Sequence, residues 1–128
     1  MANFDHIQSG HYDINGKDIH FRSKWEANYA LYLDFLVKQK HIKCWEFEPD
    51  RFLFEKIITG TRTYIPDFKI YHFDDSFEYH EVKGWLDSKS KTKLKRMKKY
   101  FPQIKMILID KEAYYDIKKK VGKLLKFY

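Results

Sequence analysis

Between Ser23 and about Gln39 apolar residues recur at helical spacing. Ala27, Leu31, Leu33, Phe35 and Leu36 join Trp25 and Tyr32 in one broad face, so the spacing predicts a first helix there. Ser23 followed three residues later by Glu26 is the pattern of a capping box, in which each side chain satisfies a backbone amide of the first turn. After the helix the pattern changes. Ile42 to Phe47, Phe52 to Ile58, Thr63 to Phe73 and Phe77 to Gly84 are rich in β-branched and aromatic residues and read as strands. Turns at Pro49-Asp50, Thr59-Gly60-Thr61 and Asp74-Asp75-Ser76 separate them. Ser88 to Tyr100 returns to helix, with Leu94, Met97 and Phe101 on one side, and Pro102 stops it. Ile104 to Ile109 reads as a short buried strand and Glu112 to about Leu125 as a last helix. Residues 1 to 15 are polar and predict an irregular arm, followed by a short strand at Ile19 and Phe21.

The order helix, strands, helix, strand, helix predicts one mixed α/β domain over residues 1–128. Its central sheet starts as antiparallel hairpins and ends with a strand reached by a helical crossover. A chain of 128 residues with 19% aromatics is long enough to bury one real core, and too short for two. The net charge of +7 is unevenly spread. Residues 1–82 hold 10 basic against 14 acidic side chains, whereas residues 83–128 hold 15 against 4, so the last third is a basic block suited to a polyanion. The single cysteine, Cys44, excludes an internal disulfide and a cysteine-rich zinc site, and its apolar neighbours predict a small core residue. No apolar run approaches 18 residues and no leader pattern is visible. A soluble cytoplasmic protein with no membrane partner is expected.

The chemistry concentrates in Pro66-Asp67 and Glu81-Val82-Lys83. Side chains alternate faces along a strand and opposed residues share a face, so the loop between the two strands can be tested by parity. A three-residue loop at Asp74 to Ser76 pairs Phe73 with Phe77, Lys69 with Glu81 and Asp67 with Lys83. Asp67, Glu81 and Lys83 then share one face, and Phe68, Ile70 and Val82 face a core on the other. A two-residue loop would bury Glu81 among apolar side chains, at a cost of several kcal/mol or a large pKa shift. By the same parity His80 points to the core side, as a hydrogen-bonded buried imidazole.

Two neighbouring carboxylates repel unless a cation holds them both ionised. Oxygen ligands without His or Cys suit a hard ion, Mg²⁺ with Mn²⁺ as a substitute, and the Val82 carbonyl offers a further oxygen. Water on such an ion is acidified, and Lys83 is placed to orient or deprotonate it or to neutralise charge on phosphorus. The bland alternative makes Asp67 a strand-end turn residue and pairs Glu81 with Lys69 or Lys83 on a solvated face.

Pro66-Asp67 followed by Glu81-Val82-Lys83-Gly84, within this order of helices and strands, resembles the PD-(D/E)XK nuclease superfamily. Gly16 to Glu26, Trp45 to Pro49, Tyr64 to Phe68 and Glu81 to Trp85, with Lys93 and Leu94 beyond, are similar to small phage and prophage endonucleases of the junction-resolving kind. The resemblance spans about residues 16 to 110 and implies a restriction-endonuclease-like αβββαβ core, a mixed sheet flanked by helices. It also implies a metal-dependent DNA endonuclease leaving 5′-phosphate ends, with Asp67, Glu81 and Lys83 in the catalytic roles. Glu26 matches the first-helix glutamate that joins the metal site in such enzymes, although the capping box alone explains it, worth about 1 kcal/mol. Glu46 and Glu48 could face the site or remain at the sheet edge with Arg51. Trp85 could stack on a base, but capping the core is the better expectation.

Seven of the eleven residues from Lys89 to Lys99 are basic: Lys89, Lys91, Lys93, Lys95, Arg96, Lys98 and Lys99. On a helix they surround all but the Leu94/Met97 stripe. This suits phosphate contact and not base readout, because only Arg96 has a planar fork. DNA is therefore the expected partner, with branched or nicked DNA as candidate substrates. A non-catalytic DNA-binding accessory subunit is the rival, and an RNA-directed nuclease a weaker one. Cutting two strands would call for a homodimer, mediated by the Leu124 to Tyr128 tail or the N-terminal arm unless these pack onto their own subunit.

Overall fold

The computed structural model describes residues 9–128, so the first eight residues of the expected arm lie outside the described residues. The rest of that arm is not irregular. Gly10–Ile14 (β1) and Lys17–Phe21 (β2) form an antiparallel hairpin. Asn15 and Gly16 close it with φ of 52° and 85°, the double positive φ of a two-residue hairpin turn that Asn-Gly favours. Ile14 and Phe21, each almost fully buried, anchor the hairpin to the core.

The first helix, α1, spans Lys24–Lys38 with Ser23 as its N-cap and the capping box formed. Cys44–Phe47 (β3), Phe68–Tyr71 (β6), Phe77–Val82 (β7) and Met106–Ile109 (β8) make the central sheet in the order β3-β6-β7-β8. The first two pairings are antiparallel, and the parallel β7–β8 pairing is reached through helix α2, Ser88–Tyr100. Helix α3, Lys111–Val121, follows β8 and stops four residues before the expected end. Phe68, fully buried, meets the rings of Phe21, Tyr29, Trp45 and Phe47 on the sheet face covered by α1 and α3. Truncating such a side chain to alanine costs about 3–5 kcal/mol. Met97 of α2 packs with Phe54 and Tyr64 on the opposite side, so helices flank both faces of a mixed sheet. Among the described residues no helix is long and apolar enough to cross a membrane.

Two of the expected strands break up. Of the Phe52–Ile58 stretch only Phe52–Leu53 (β4) is strand, and Thr63–Phe73 splits into Thr63–Tyr64 (β5), which pairs with β4, and β6. After Leu53 the chain turns through an Ile57 N–H to Phe54 carbonyl bond, leaving Ile58 in solvent. Between β5 and β6 stands Pro66, which has no N–H for a ladder. The hairpin register also differs from expectation. Tyr71 pairs with Phe77, Lys69 with Tyr79 and Phe68 with His80, so the connection is five residues, His72 to Ser76. The loop is held by the His72 N–H on the Ser76 carbonyl (2.9 Å) and the Asp74 carboxylate on the Ser76 N–H (3.0 Å). Asp75 within it has φ of 68°. A shift of two preserves parity, so the faces stand although the partners change.

Other expectations separate in the same way. His80 is a hydrogen-bonded imidazole on the core side, meeting the Tyr29 hydroxyl at Nδ1 (2.5 Å) and Glu78 at Nε2 (2.7 Å). Cys44 is exposed, not a core residue, because it begins an edge strand with its side chain on the outer face. Trp85 does not cap the core. The strand ends at Val82 and the loop carries the indole outward, 76% exposed. The C-terminal tail packs onto its own subunit: the Tyr128 N–H donates to Asn28 Oδ1 (2.6 Å) and its hydroxyl to the Asp13 carbonyl (2.5 Å).

Candidate active site

Continuing the sheet registers one residue beyond Phe47–Phe68 and Phe68–His80 puts Glu48, Asp67 and Glu81 in one row across three strands. The Glu48 N–H on the Asp67 carbonyl (2.8 Å) extends the first pairing to that row. Helix α1 starts above the same end of the sheet and delivers Glu26. One ligand oxygen from each of Glu26, Glu48 and Asp67 lies within 4.8 Å of the others. Glu81, an expected ligand, is outside that trio but adjoins it: its Oε1 accepts the Asp67 N–H (3.3 Å) and the Tyr64 hydroxyl (2.7 Å).

The cap and site roles of Glu26 turn out to be compatible. Its Oε1 accepts the N–H groups of Arg22 (2.9 Å) and Ser23 (3.0 Å), while Oε2 faces the Arg22 guanidinium at 3.9 Å. Capping therefore fixes the side chain in place and leaves one oxygen toward the cluster.

Asp67 is 3% exposed and held by the Val82 N–H on Oδ2 (2.8 Å). Burial, then the Glu81 and Glu26 charges, push its carboxyl well above the usual carboxylate range, against the pull of the Val82 amide. Burial also raises Glu81, opposed by the Tyr64 hydroxyl, the Asp67 amide and the Lys83 ammonium. Glu48 is raised by burial and pulled back by Arg22. The Arg22 guanidinium ion-pairs with Glu48 and lies 3.5 Å from Asp67 Oδ1. Burial alone would lower its pKa, but Glu26, Glu48, Asp67 and Glu81 together raise it.

Lys83 follows β7 directly, its N–H bonded to the Ile109 carbonyl (3.0 Å) at the mouth of a cleft of about 600 Å³. The cleft is lined by Glu26, Asp67, Glu81, Val82 and Lys83 together, so the four residues expected to act in catalysis border one cleft with Val82. With Asp87 and Lys93, which also line the cleft, five carboxylates stand against three cations, an excess of two negative charges when all are ionised. At an effective dielectric of about 20, two unit charges 4 Å apart interact by about 4 kcal/mol, so the site must take up protons or a cation. A divalent ion matches that deficit, and the all-oxygen donor set suits a hard one. Arg22 already sits where positive charge is called for.

Of the basic residues on α2, Lys93 lines the cleft, its Nζ 5.9 Å from the Tyr64 ring centre. Lys89, Lys91, Lys95, Lys98 and Lys99 point to solvent along the helix. The Arg96 guanidinium donates to the Thr61 carbonyl, tying α2 to the β4–β5 loop. Asp87 caps the helix through the Ser90 N–H (2.7 Å), so its first turn presents a carboxylate as well as amides.

Two side chains of this site received no role from the sequence. Arg22 and Tyr64 lie in the stretches Gly16 to Glu26 and Tyr64 to Phe68, but only the tertiary approach of β2, β5 and the sheet end brings them in. Glu48 was legible in part: with Glu46 it alternates along β3, but its place opposite Asp67 depends on a register that no local signal sets. Glu46 instead accepts from the Tyr71 hydroxyl.

The chain belongs to the family described as Protein of unknown function (DUF1064), matched over residues 10–117. That span takes in every residue of the cluster and the whole of α2. No curated protein and no solved structure matches the chain.

Proposed function

We propose that the protein is a Mg²⁺-dependent endodeoxyribonuclease that hydrolyses phosphodiester bonds in this cleft, as the PD-(D/E)XK resemblance implies. The observation that carries the reading is the uncompensated carboxylate cluster beside Lys83. Burying acids with too little positive charge to match them costs several kcal/mol, and such a cost persists where charge is used. Asp67, Glu81 and Glu26 would hold the cation, with Glu48 and the Val82 carbonyl as further oxygens. A divalent ion bound there supplies charge that polarises a phosphoryl oxygen and acidifies a water. Lys83 orients the attacking water and offsets charge on the phosphorus. Arg22, 61% exposed along its side chain, can leave the carboxylates and meet a phosphate oxygen. Lys93 and the outer lysines of α2 hold the flanking backbone without reading bases.

The test is cleavage of supercoiled plasmid, linear duplex and four-way junction side by side, with Mg²⁺ and with EDTA. Wild type is expected to cut with Mg²⁺ only, and Lys83→Ala and Asp67→Asn to be inactive on all three. DNA binding without metal-dependent cutting would replace this reading with that of a DNA-binding accessory subunit.

A further inference from the structure

One nitrogen serves the three acids that could share a metal ion. Arg22 Nη2 ion-pairs with Glu48 and lies 3.5 Å from Asp67 Oδ1 and 3.9 Å from Glu26 Oε2. A divalent ion and the guanidinium therefore contend for the same carboxylates.

The guanidinium answers their charge without satisfying their lone pairs. Glu48 Oε1 is buried and accepts no hydrogen bond, although Arg22 lies against it. The Asp67 contact, at 3.5 Å, is longer than a good N–H···O bond. Arginine donates along a planar fork, and carboxylates arriving from the start of α1 and the ends of two strands do not match that plane. A hard ion takes oxygens that converge from several directions. The side chain is also placed to leave. It is 61% exposed against 5% for Glu26 and 4% for Asp67, so it reaches into the cluster from solvent. Its backbone N–H stays bound to Glu26 Oε1 (2.9 Å), a fixed root about which the guanidinium can swing. Arg22 shares the cleft with Lys83 and Lys93, and a phosphate entering there would offer the paired oxygens that suit the fork.

We propose that Arg22 is a displaceable counter-ion, seated on the carboxylates while the cleft is empty and drawn off them by a DNA phosphate as the divalent ion binds. The inference rests on the nuclease reading and concerns how that site is regulated. Without DNA the metal must displace the guanidinium, which weakens its binding. With DNA the phosphate holds the guanidinium, and that cost disappears. Metal and DNA therefore bind cooperatively, each raising the affinity of the other by the same factor. The metal centre is completed on the substrate and stays weak in its absence.

Calorimetric titration with Mn²⁺ tests this, with and without a saturating short duplex and after subtraction of the heat of Mn²⁺ on the duplex alone. Lys83→Ala serves as the reference so that the DNA stays whole, and Lys83→Ala/Arg22→Gln removes the guanidinium while keeping a polar side chain of similar reach. Without DNA the Arg22→Gln protein should bind Mn²⁺ about tenfold more tightly than the reference. With the duplex bound the two affinities should converge to within about twofold, because the phosphate has then taken Arg22 off the acids in the reference as well. Equal affinities without DNA, weaker binding by the Arg22→Gln protein, or a gap that the duplex leaves unchanged overturns the counter-ion role. Any of these alongside Mg²⁺-dependent cutting of plasmid by wild type would leave the nuclease reading standing. The predicted gap and convergence without such cutting would keep the counter-ion and remove the nuclease. No saturable Mn²⁺ binding by either protein would remove both.

Discussion

The molecule buries acids in two places and treats them in opposite ways. On the α1 face, Glu78 is 7% exposed, yet each of its oxygens has a cationic or donor partner: His72 Nε2 on Oε1 (2.5 Å) and His80 Nε2 on Oε2 (2.7 Å). Burial pushes the Glu78 carboxyl up, but the two imidazoles and Lys105 outweigh it and hold it below its ordinary value. At the end of the same sheet, Asp67 and Glu81 are as deeply buried and their carboxyls are pushed up. Glu78 is an acid the protein has answered from within. The Asp67 cluster is one it has left open, and that difference separates a structural network from a candidate site.

The two regions should therefore respond oppositely to mutation. The largest effect expected is on catalysis: Lys83→Ala or Asp67→Asn should lower Mg²⁺-dependent cleavage by on the order of a thousandfold, measured on plasmid, while melting temperature holds or rises in Asp67→Asn, which removes a buried charge. Glu78→Gln should do the reverse, keeping cleavage within a few fold and costing about 2 kcal/mol in urea unfolding through lost charge-assisted bonds to His72 and His80.

A smaller effect is expected at Arg22. Arg22→Ala removes a guanidinium from the cluster, so in EDTA the melting temperature should fall by roughly 4 °C, or about 1 kcal/mol for a partly exposed group. Mg²⁺ should restore most of that loss.

Acid titration sharpens the contrast. Because the folded pKa values of Asp67 and Glu81 are raised, their contribution to stability is present below the ordinary carboxylate range and lost as pH rises through the raised values. In EDTA the protein should thus gain stability on mild acidification above the ordinary carboxylate range, a slope that Asp67→Asn reduces and Mg²⁺ flattens. Glu78, with its pKa depressed, contributes above the ordinary range and loses that contribution as pH falls through the depressed value. Glu78→Gln should therefore soften the acid limb alone. The smallest effect concerns DNA binding. Lys93→Ala should weaken it a few fold and make the log–log salt slope about one unit shallower at most.

One side of this contrast, the acids around Asp67, was legible in the sequence, whereas Glu78 and its histidine partners were not, because local pattern does not show which buried acid finds a cation. Parity alone put Asp67 and Glu81 on one face and His80 on the other, because a shift of two in the hairpin leaves the faces unchanged. The pairing partners were missed, since loop length depends on how His72 to Ser76 folds on itself. The capping box placed Glu26 at the helix start, but its second oxygen could be assigned only once the sheet end was seen beneath it. Local patterns also overran where tertiary packing set the limit, as in the stretch after Leu53 and at Pro66. The Asn15-Gly16 turn was there to be read, and the polarity of its surroundings masked it. Arg22 lay within the Gly16 to Glu26 stretch without a role of its own, because that role comes from the charges that the fold gathers around it.

The most direct measurement is calorimetric titration of EDTA-stripped, dialysed protein with Mn²⁺, run in parallel on wild type, Asp67→Asn and Glu78→Gln. Saturable binding to wild type and Glu78→Gln that vanishes in Asp67→Asn is the result predicted here. No saturable binding to wild type, or undiminished binding to Asp67→Asn, would contradict the claim that the open cluster of acids is completed by a divalent cation.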